Sequence, residues 1–165
     1  MTTQFEHNLE NLKSKLLLMG QLANDSLQGA IKALVEGDSV LAKAVRLKDE
    51  EIDDLENELR EEVTSCLSTH APVASDLRLL VSIIKISHEV ERIGDEAKAI
   101  ARRSRKTATP DFHQIPQMGE IAREMIQDAL SNFVEYDEAK AKAIWTRDLE
   151  VDQLHKENNQ FCQSL

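Results

Sequence analysis

Apolar side chains recur every three or four residues along most of this chain, and that spacing constrains its fold more than any other feature. An α-helix brings residues with this spacing onto one face, so the pattern predicts long amphipathic helices. The chain contains only five Gly and three Pro, which favours helices over a β-sandwich or barrel. In the first predicted helix, residues 5–34, the apolar face consists of Phe5, Leu9, Leu12, Leu16, Met19, Ala23, Leu27, Ala30 and Leu34.

Two further helices are predicted from the same rhythm and from the residues that interrupt it. Gly37 ends the first helix, and Asp38 caps the second. A loop at 68–75 then separates the second helix from the third, which restarts at Ser75 or Asp76. These three helices form the first predicted unit, residues 1–105.

A linker at 106–116, which contains Pro110 and Pro116, follows the first unit. The second unit, 117–165, carries two more helical patterns, at 117–135 and 138–162. Short connections make neighbouring helices antiparallel, so we expect an all-α, up-down fold.

The two units are copies of one another. Residues 30–58 align with residues 129–157 without a gap, and 12 of these 29 positions are identical. Two unrelated amphipathic helices would share far fewer positions, so the sequence predicts tandem three-helix-bundle repeats. The second copy has no counterpart of residues 75–105, and we therefore expect the second repeat to be incomplete.

Pairs of acidic residues follow the apolar faces of two helices. Asp49 and Asp53 lie one turn apart in the second helix, and Glu91 and Asp95 lie one turn apart in the third. If the second and third helices pack antiparallel, the helix edges that carry these two acidic pairs either line the same groove or both face away from it. If they share it, four carboxylates converge and favour a bound cation such as Mg²⁺, Mn²⁺ or ferric iron. The second repeat offers the pair Asp148 and Asp152.

Composition excludes several classes of function. A net charge of −10 makes nucleic acid and anionic membranes poor partners. The run LLLMG near the start is too short to span a membrane. Cys66 and Cys162 are expected to be reduced core thiols, which indicates the cytoplasm, and Trp145 is expected to be a packing residue.

Two segments carry a family resemblance. SDLRLLVSIIKISHEVERIGDEAKAIAR resembles the third helix of the PhoU family, and RLKDEEIDDLE resembles that family's Asp-xxx-Asp helix. The family is built from two three-helix-bundle repeats, which agrees with the duplication. Two features depart from the family pattern: Ala99 stands where the family often has Asn, and the last helix, with the second Glu-xxx-Asp motif, is missing.

The resemblance implies a cytoplasmic regulator of phosphate uptake that damps the phosphate-starvation response and is not an enzyme. Such proteins connect the ATPase subunit of a phosphate ABC transporter with a sensor histidine kinase, and they reach the membrane only through their partners. Family members can carry iron, zinc, manganese or magnesium at their acidic motifs. Carried over to this chain, the ligands are Asp49, Asp53, Glu91 and Asp95, with Asp148 and Asp152 as half of a second site.

Two other functions stay open at this point. Acidic residues four apart on a helix edge are usually a solvated flank, and the chain would then be a helical adaptor without metal. The enzymatic alternative is a di-metal carboxylate oxidase, which needs inward-facing Glu-xxx-His pairs. None of the five His residues has Glu three places before it, and Asp152–His155 is the nearest approach.

We also expect a homodimer. Each apolar face of a three-helix bundle is covered by the other two helices, and the second repeat supplies only two helices. A symmetric partner or an exchanged element would cover the remaining apolar side chains. These are Ile121, Met125, Leu130, Phe133, Ile144, Val151, Leu154 and Phe161.

Overall fold

The structure is a computed structural model that describes residues 4–104 and 114–164. Over those ranges it contains five helices and no strand, so the predicted all-α class is confirmed. None of the helices in the described ranges is both long and apolar enough to cross a membrane. The helices are α1 (Gln4–Glu36), α2 (Ser39–His70), α3 (Ala74–Ser104), α4 (Ile115–Glu135) and α5 (Glu138–Gln163).

Helix boundaries differ most from the predicted ones around the α2–α3 loop and at the start of α4, and by one or two residues elsewhere. The loop between α2 and α3 covers only residues 71–73, because α2 continues to His70 and α3 begins at Ala74. The α4 helix begins at Ile115, since Pro116 occupies its first turn, where a helix does not need the missing N–H. Most of the predicted linker at 106–116, including Pro110, lies outside the described residues.

Both repeats use the same turn between their first two helices. In the first repeat Gly37 has a φ of +67°, and the Asp38 side chain accepts hydrogen bonds from the first-turn N–H groups of α2 at 2.9 and 3.0 Å. In the second repeat Tyr136 takes the left-handed conformation, with a φ of 57°, and Asp137 caps α5 in the same way. The duplicated sequences VEGD and VEYD therefore form equivalent turns.

The main core lies inside the first repeat, where α1 packs against both α2 and α3. Removing large aliphatic side chains from water stabilises this bundle by about 1.5–3 kcal/mol for each side chain that is fully buried. The largest fully buried apolar side chains are Leu12, Leu16, Met19, Ile52, Leu59, Leu80 and Ile83.

The repeats meet where α1 packs against α4. Gly20 lies against the side chain of Leu130, and Gly119 lies against the side chain of Ile31. The offset that aligns residue 30 with residue 129 also aligns Gly20 with Gly119 and Ile31 with Leu130. The two contacts are therefore equivalent, and an approximate twofold axis relates α1 to α4.

The structure corrects part of the prediction that the apolar residues of the second repeat lack cover. Leu130 and Phe133 pack against the core of the first repeat, and Leu154 is buried. Two other predictions are wrong as well. Cys66 is a buried free thiol, but Cys162 is exposed, and Trp145 is 71% exposed instead of packed.

Candidate acidic site and groove

The two acidic pairs of the first repeat converge on one groove between α2 and α3. The carboxylate of Asp53 interacts electrostatically with Asp49 and Asp95, and that of Glu91 interacts with Asp53 and Asp95. Of the two arrangements left open by the sequence, the structure therefore has the shared groove. We call Asp49, Asp53, Glu91 and Asp95 the acidic cluster.

Asp49 is the innermost member of the acidic cluster. It is only 2% exposed, so the alternative in which these acids form a solvated flank does not hold for this residue. Gly94 of α3 lies against the same part of α2: a Cβ there would lie only 3.0 Å from Ile52 Cδ1, and at an ordinary contact distance of 3.6 Å from Asp49 Oδ1. The glycine of the Glu-Arg-Ile-Gly-Asp motif thus allows α3 to approach α2 directly above a buried carboxylate.

Lys98 supplies a positive charge within the cluster. Its Nζ atom donates a hydrogen bond to Asp49 Oδ2 and lies 3.9 Å from Asp95 Oδ1. The hydrogen bond to Asp49 raises the pKa of the Lys98 ammonium above its ordinary value. The other oxygen of Asp49, Oδ1, is buried and has no hydrogen-bond partner.

Negative charge remains in excess around this ammonium. Burial raises the pKa of Asp53 above its ordinary value, and the charge of Asp49 adds to that effect. Burial also raises the pKa of Glu91, to which the charges of Asp95 and Glu56 contribute. Both carboxylates are therefore less stable in their charged form than they would be in water.

Glu56 and His88 extend the cluster towards the solvent. His88 Nδ1 lies 3.4 Å from Glu56 Oε1 and 3.9 Å from Glu91 Oε2. Glu56 and Lys98 were not predicted as site residues from the sequence, although their spacing from the acidic residues places them beside the cluster. Glu56 follows Asp53 by three residues and Lys98 follows Asp95 by three, which places each on the face of its acidic neighbour.

The acidic cluster is only in part suited to a metal ion. Its oxygen donors and the unpaired Asp49 Oδ1 are appropriate for a hard cation. However, among the described residues no three Asp, Glu, His or Cys side chains are arranged so that they could hold a metal. The Lys98 ammonium already contacts Asp49, so in this arrangement the residues do not fit a metal ion.

The predicted second half-site lies on an open surface. Asp148 and Asp152 of α5 are both exposed, whereas Asp49, which the duplication aligns with Asp148, is buried. The difference arises because α3 covers Asp49, and no described helix occupies the corresponding place beside α5. The structure therefore does not bring the second pair together with other carboxylates.

A long apolar groove, which we call the α3–α5 groove, lies in this place. Ala122 and Ile126 of α4 line one side together with Ile144 and Val151 of α5. The duplication aligns these residues with Ala23, Leu27, Val45 and Ile52, all buried in the first repeat. The groove is thus the second repeat's counterpart of the surface that α3 covers in the first. The facing wall is the outer side of α3: Lys85, Ile86, Glu89, Arg92, Ile93 and Glu96.

Comparison with known proteins identifies relatives that match more than nine tenths of the chain. The family model described as the PhoU domain matches residues 16–104 and 115–165. A phosphate-specific transport system accessory protein PhoU homolog from Pseudomonas putida is 37% identical over 161 residues, which cover 94% of this chain and 63% of that protein. The homolog of the same name from Clostridium acetobutylicum is 35% identical over 157 residues, covering 92% of this chain and 72% of the relative.

Solved structures have the same fold. The crystal structure of PhoU from Pseudomonas aeruginosa matches with a TM-score of 0.92 at 35% identity and covers 98% of this chain and 79% of that one. The phosphate transport system regulatory protein PhoU from Streptococcus pneumoniae matches with a TM-score of 0.91 at 27% identity, covering 98% of this chain and 78% of its own. The chain spans about two thirds of the length of the curated relatives that it matches, 63% and 66% for two from Pseudomonas.

Proposed function

Because the chain belongs to the PhoU family, we propose that it is an accessory regulator of a phosphate-specific transport system. The observation that carries the proposal is the match of nearly the whole chain, in sequence and in fold, to proteins named for that role. We propose that it acts in the cytoplasm, damps the phosphate-starvation response and works by binding other proteins, without catalysis.

The partners that we propose are the ATPase subunit of the phosphate ABC transporter and a sensor histidine kinase. The net charge of −10 favours basic surfaces on those partners. Trp145 and Leu149, one turn apart on α5, are 71% and 59% exposed and offer an apolar contact beside these charges. Exposed aromatic side chains of this kind are enriched at the centres of protein interfaces.

A second part of the proposal concerns a metal ion, with Fe, Zn, Mn and Mg as the candidates. The acidic cluster Asp49, Asp53, Glu91 and Asp95 would be its place in the first repeat. Two observations support a cation at this place: Asp49 Oδ1 has no hydrogen-bond partner, and the pKa values of Asp53 and Glu91 are raised. A positive charge would stabilise these carboxylates in their charged form. The contact between Lys98 and Asp49 instead supports the alternative of an adaptor that needs no metal.

A third part of the proposal is a homodimer that covers the α3–α5 groove. The charged residues on the outer face of α3 alternate in sign, as Lys85, Glu89, Arg92 and Glu96. If two copies place α3 antiparallel about a twofold axis near Val90, Lys85 faces Glu96 of the other copy. Glu89 then faces Arg92, so the surface is complementary to itself.

Direct binding tests the regulatory proposal. The purified chain is titrated with the ATPase subunit of a phosphate transporter, and the ATPase subunit of an unrelated ABC transporter serves as the control. We expect saturable binding to the phosphate transporter's subunit alone, weakened by Trp145→Glu if α5 contributes the contact. Equal binding to both subunits, or binding to neither, would contradict the proposal.

A further inference from the structure

We infer that the amino-terminal half of α2 carries a docking surface for an acidic, amphipathic helix of a partner protein. Val40, Lys43, Arg46 and Leu47 line one surface depression of about 740 Å³, and we call these four residues the α2 basic patch. They follow one another at helical spacing and therefore share one face of α2. The inference goes beyond the proposed function, in which the acidic charge of the chain favours basic surfaces on its partners.

The α2 basic patch presents positive charge that no described residue neutralises. Lys43 is exposed, and neither Lys43 nor Arg46 has an ion-pair or side-chain hydrogen-bond partner among the described residues. Lys98 borders the same depression, but its ammonium group already contacts Asp49. Two cations are therefore available to carboxylates of a partner, although the chain as a whole has a net charge of −10.

The duplication does not repeat this patch in the second repeat. It aligns Lys43 with Lys142, which pairs with Glu138 at 2.7 Å, and it aligns Arg46 with Trp145. The available positive charge is thus a property of the first repeat and not of the duplicated helix.

Exposed apolar side chains flank the two cations. Val40 is 78% exposed and Leu47 is 59% exposed, and they lie about 10 Å apart along the axis of α2. A ligand that covers the whole patch must combine apolar and anionic groups, as an amphipathic helix with Leu and Glu on one face does. Roughly three turns of such a helix are long enough to cover the patch.

Nucleic acid and anionic membranes fit the patch less well than a protein segment does. Lipid-binding clusters contain about four to eight Lys and Arg residues, whereas this patch has two, with Glu50 at the edge of the depression. The negative charge of the rest of the chain also repels an extended polyanion. The charges therefore favour a short acidic segment of a partner protein.

A designed peptide tests the charged and the apolar contacts together. The probe is a fluorescent helical peptide of about 14 residues with Glu and Leu along one face, and its binding to the full chain is measured by fluorescence anisotropy. We expect saturable binding by the wild type, and binding about three- to thirtyfold weaker for the double variant Lys43→Gln with Arg46→Gln. The control, Lys142→Gln with Arg60→Gln, removes the same number of charges outside the patch and should bind like the wild type.

Crosslinking of the wild-type chain needs no variant that must fold. A carbodiimide joins a carboxylate to an amine as an amide and takes up the released water as a urea, so it should link the bound peptide to Lys43 and not to Lys142. Absence of binding by the wild type, equal affinity of the two double variants, or equal crosslinking of Lys43 and Lys142 would overturn the inference. None of these results bears on the proposed contact between Trp145 and the transporter's ATPase subunit, which has its own test.

Discussion

Gly20 of α1 lies so close to Leu130 of α4 that a methyl group on the glycine would overlap the leucine side chain. The duplication repeats this relationship between Gly119 and Ile31, with the helices exchanged. Each repeat thus contributes one glycine and one aliphatic side chain to the interface. The glycines allow α1 and α4 to pack closely, so the two repeats form one continuous structure.

Replacing Gly20 by Leu should loosen this interface. Leucine is the better helix former, so any loss of stability reports the overlap with Leu130. We expect the free energy of unfolding in urea to fall by about 1–3 kcal/mol. Adding Leu130→Ala should recover part of that loss, and Gln21→Leu, at an exposed neighbouring position, should cost little. Strictly additive effects of the two changes at positions 20 and 130 would show that they do not interact.

Asp49 and its counterpart Asp148 should respond very differently to the same substitution. Asp49→Ala removes the acceptor of a charge-assisted hydrogen bond from Lys98, and we expect a loss of about 1.5–3 kcal/mol in the free energy of unfolding. Asp148→Ala, on the exposed face of α5, should change it by less than about 0.5 kcal/mol. Similar losses in the two variants, measured by circular dichroism in urea, would contradict the structural difference between the repeats.

Glu91 should destabilise the folded protein at neutral pH. Burial and the charges of Asp95 and Glu56 raise its pKa in the folded state, so its contribution to stability is full below its ordinary pKa of 4.5. That contribution is lost as the pH rises through the higher folded-state value. Glu91→Gln should therefore raise the free energy of unfolding by about 0.2–0.5 kcal/mol at pH 7, with the gain disappearing towards pH 4.5.

The control for Glu91 is Glu10→Gln. Glu10 lies on the exposed side of α1, outside the proposed dimer contact, and pairs with Lys13 at 2.9 Å, so its replacement should not stabilise the protein. Thermal melts of the wild type and both variants from pH 4 to pH 8 measure the difference. A gain for Glu91→Gln that stays constant over this range would exclude repulsion within the acidic cluster as its cause.

The proposed antiparallel contact between the α3 helices of two copies predicts how reversing the charges on α3 changes the oligomeric state. Light scattering at micromolar concentration should give the mass of a dimer for the wild type and a smaller mass for Glu89→Lys. In the double variant Glu89→Lys with Arg92→Glu, the facing charges are complementary again, and the dimer should return. Glu61→Lys, at an exposed position of α2 outside the groove, is the control. A wild-type monomer that does not bind an apolar dye would contradict the proposed dimer.

The helices and the duplication could be predicted from the sequence because they depend on local patterns. Spacing of apolar residues gave the five helices, and VEGD with VEYD gave the repeated turn. The convergence of Asp49 and Asp53 with Glu91 and Asp95 was one of two arrangements that the spacing allowed. Only the side on which α3 packs decides between them, and that depends on contacts distant in sequence.

Other features depended on packing that a single helix pattern does not contain. Gly20 and Gly119 have no side chain and do not add to an apolar face. The spacing of apolar residues therefore does not predict the α1–α4 interface at which they lie. Trp145 is a large aromatic residue, a type that is usually at least partly buried. The duplication, however, aligns it with Arg46 and not with a core position. Lys98 follows both Glu91 and Asp95 at helical spacing, so its place beside them could be predicted from the sequence, although a cationic side chain is not a metal ligand.

The most direct test of the proposed regulatory role is the output of a phosphate-starvation reporter in a bacterium that lacks its own PhoU. The chain is expressed there with abundant phosphate, and reporter activity is measured beside that of a strain with the empty vector. The proposed function predicts that the chain lowers the reporter activity and that Trp145→Glu, if it weakens binding to the transporter's ATPase subunit, lowers it less. Reporter activity equal to that of the empty vector, with the folded chain present at normal abundance, would contradict the proposed function.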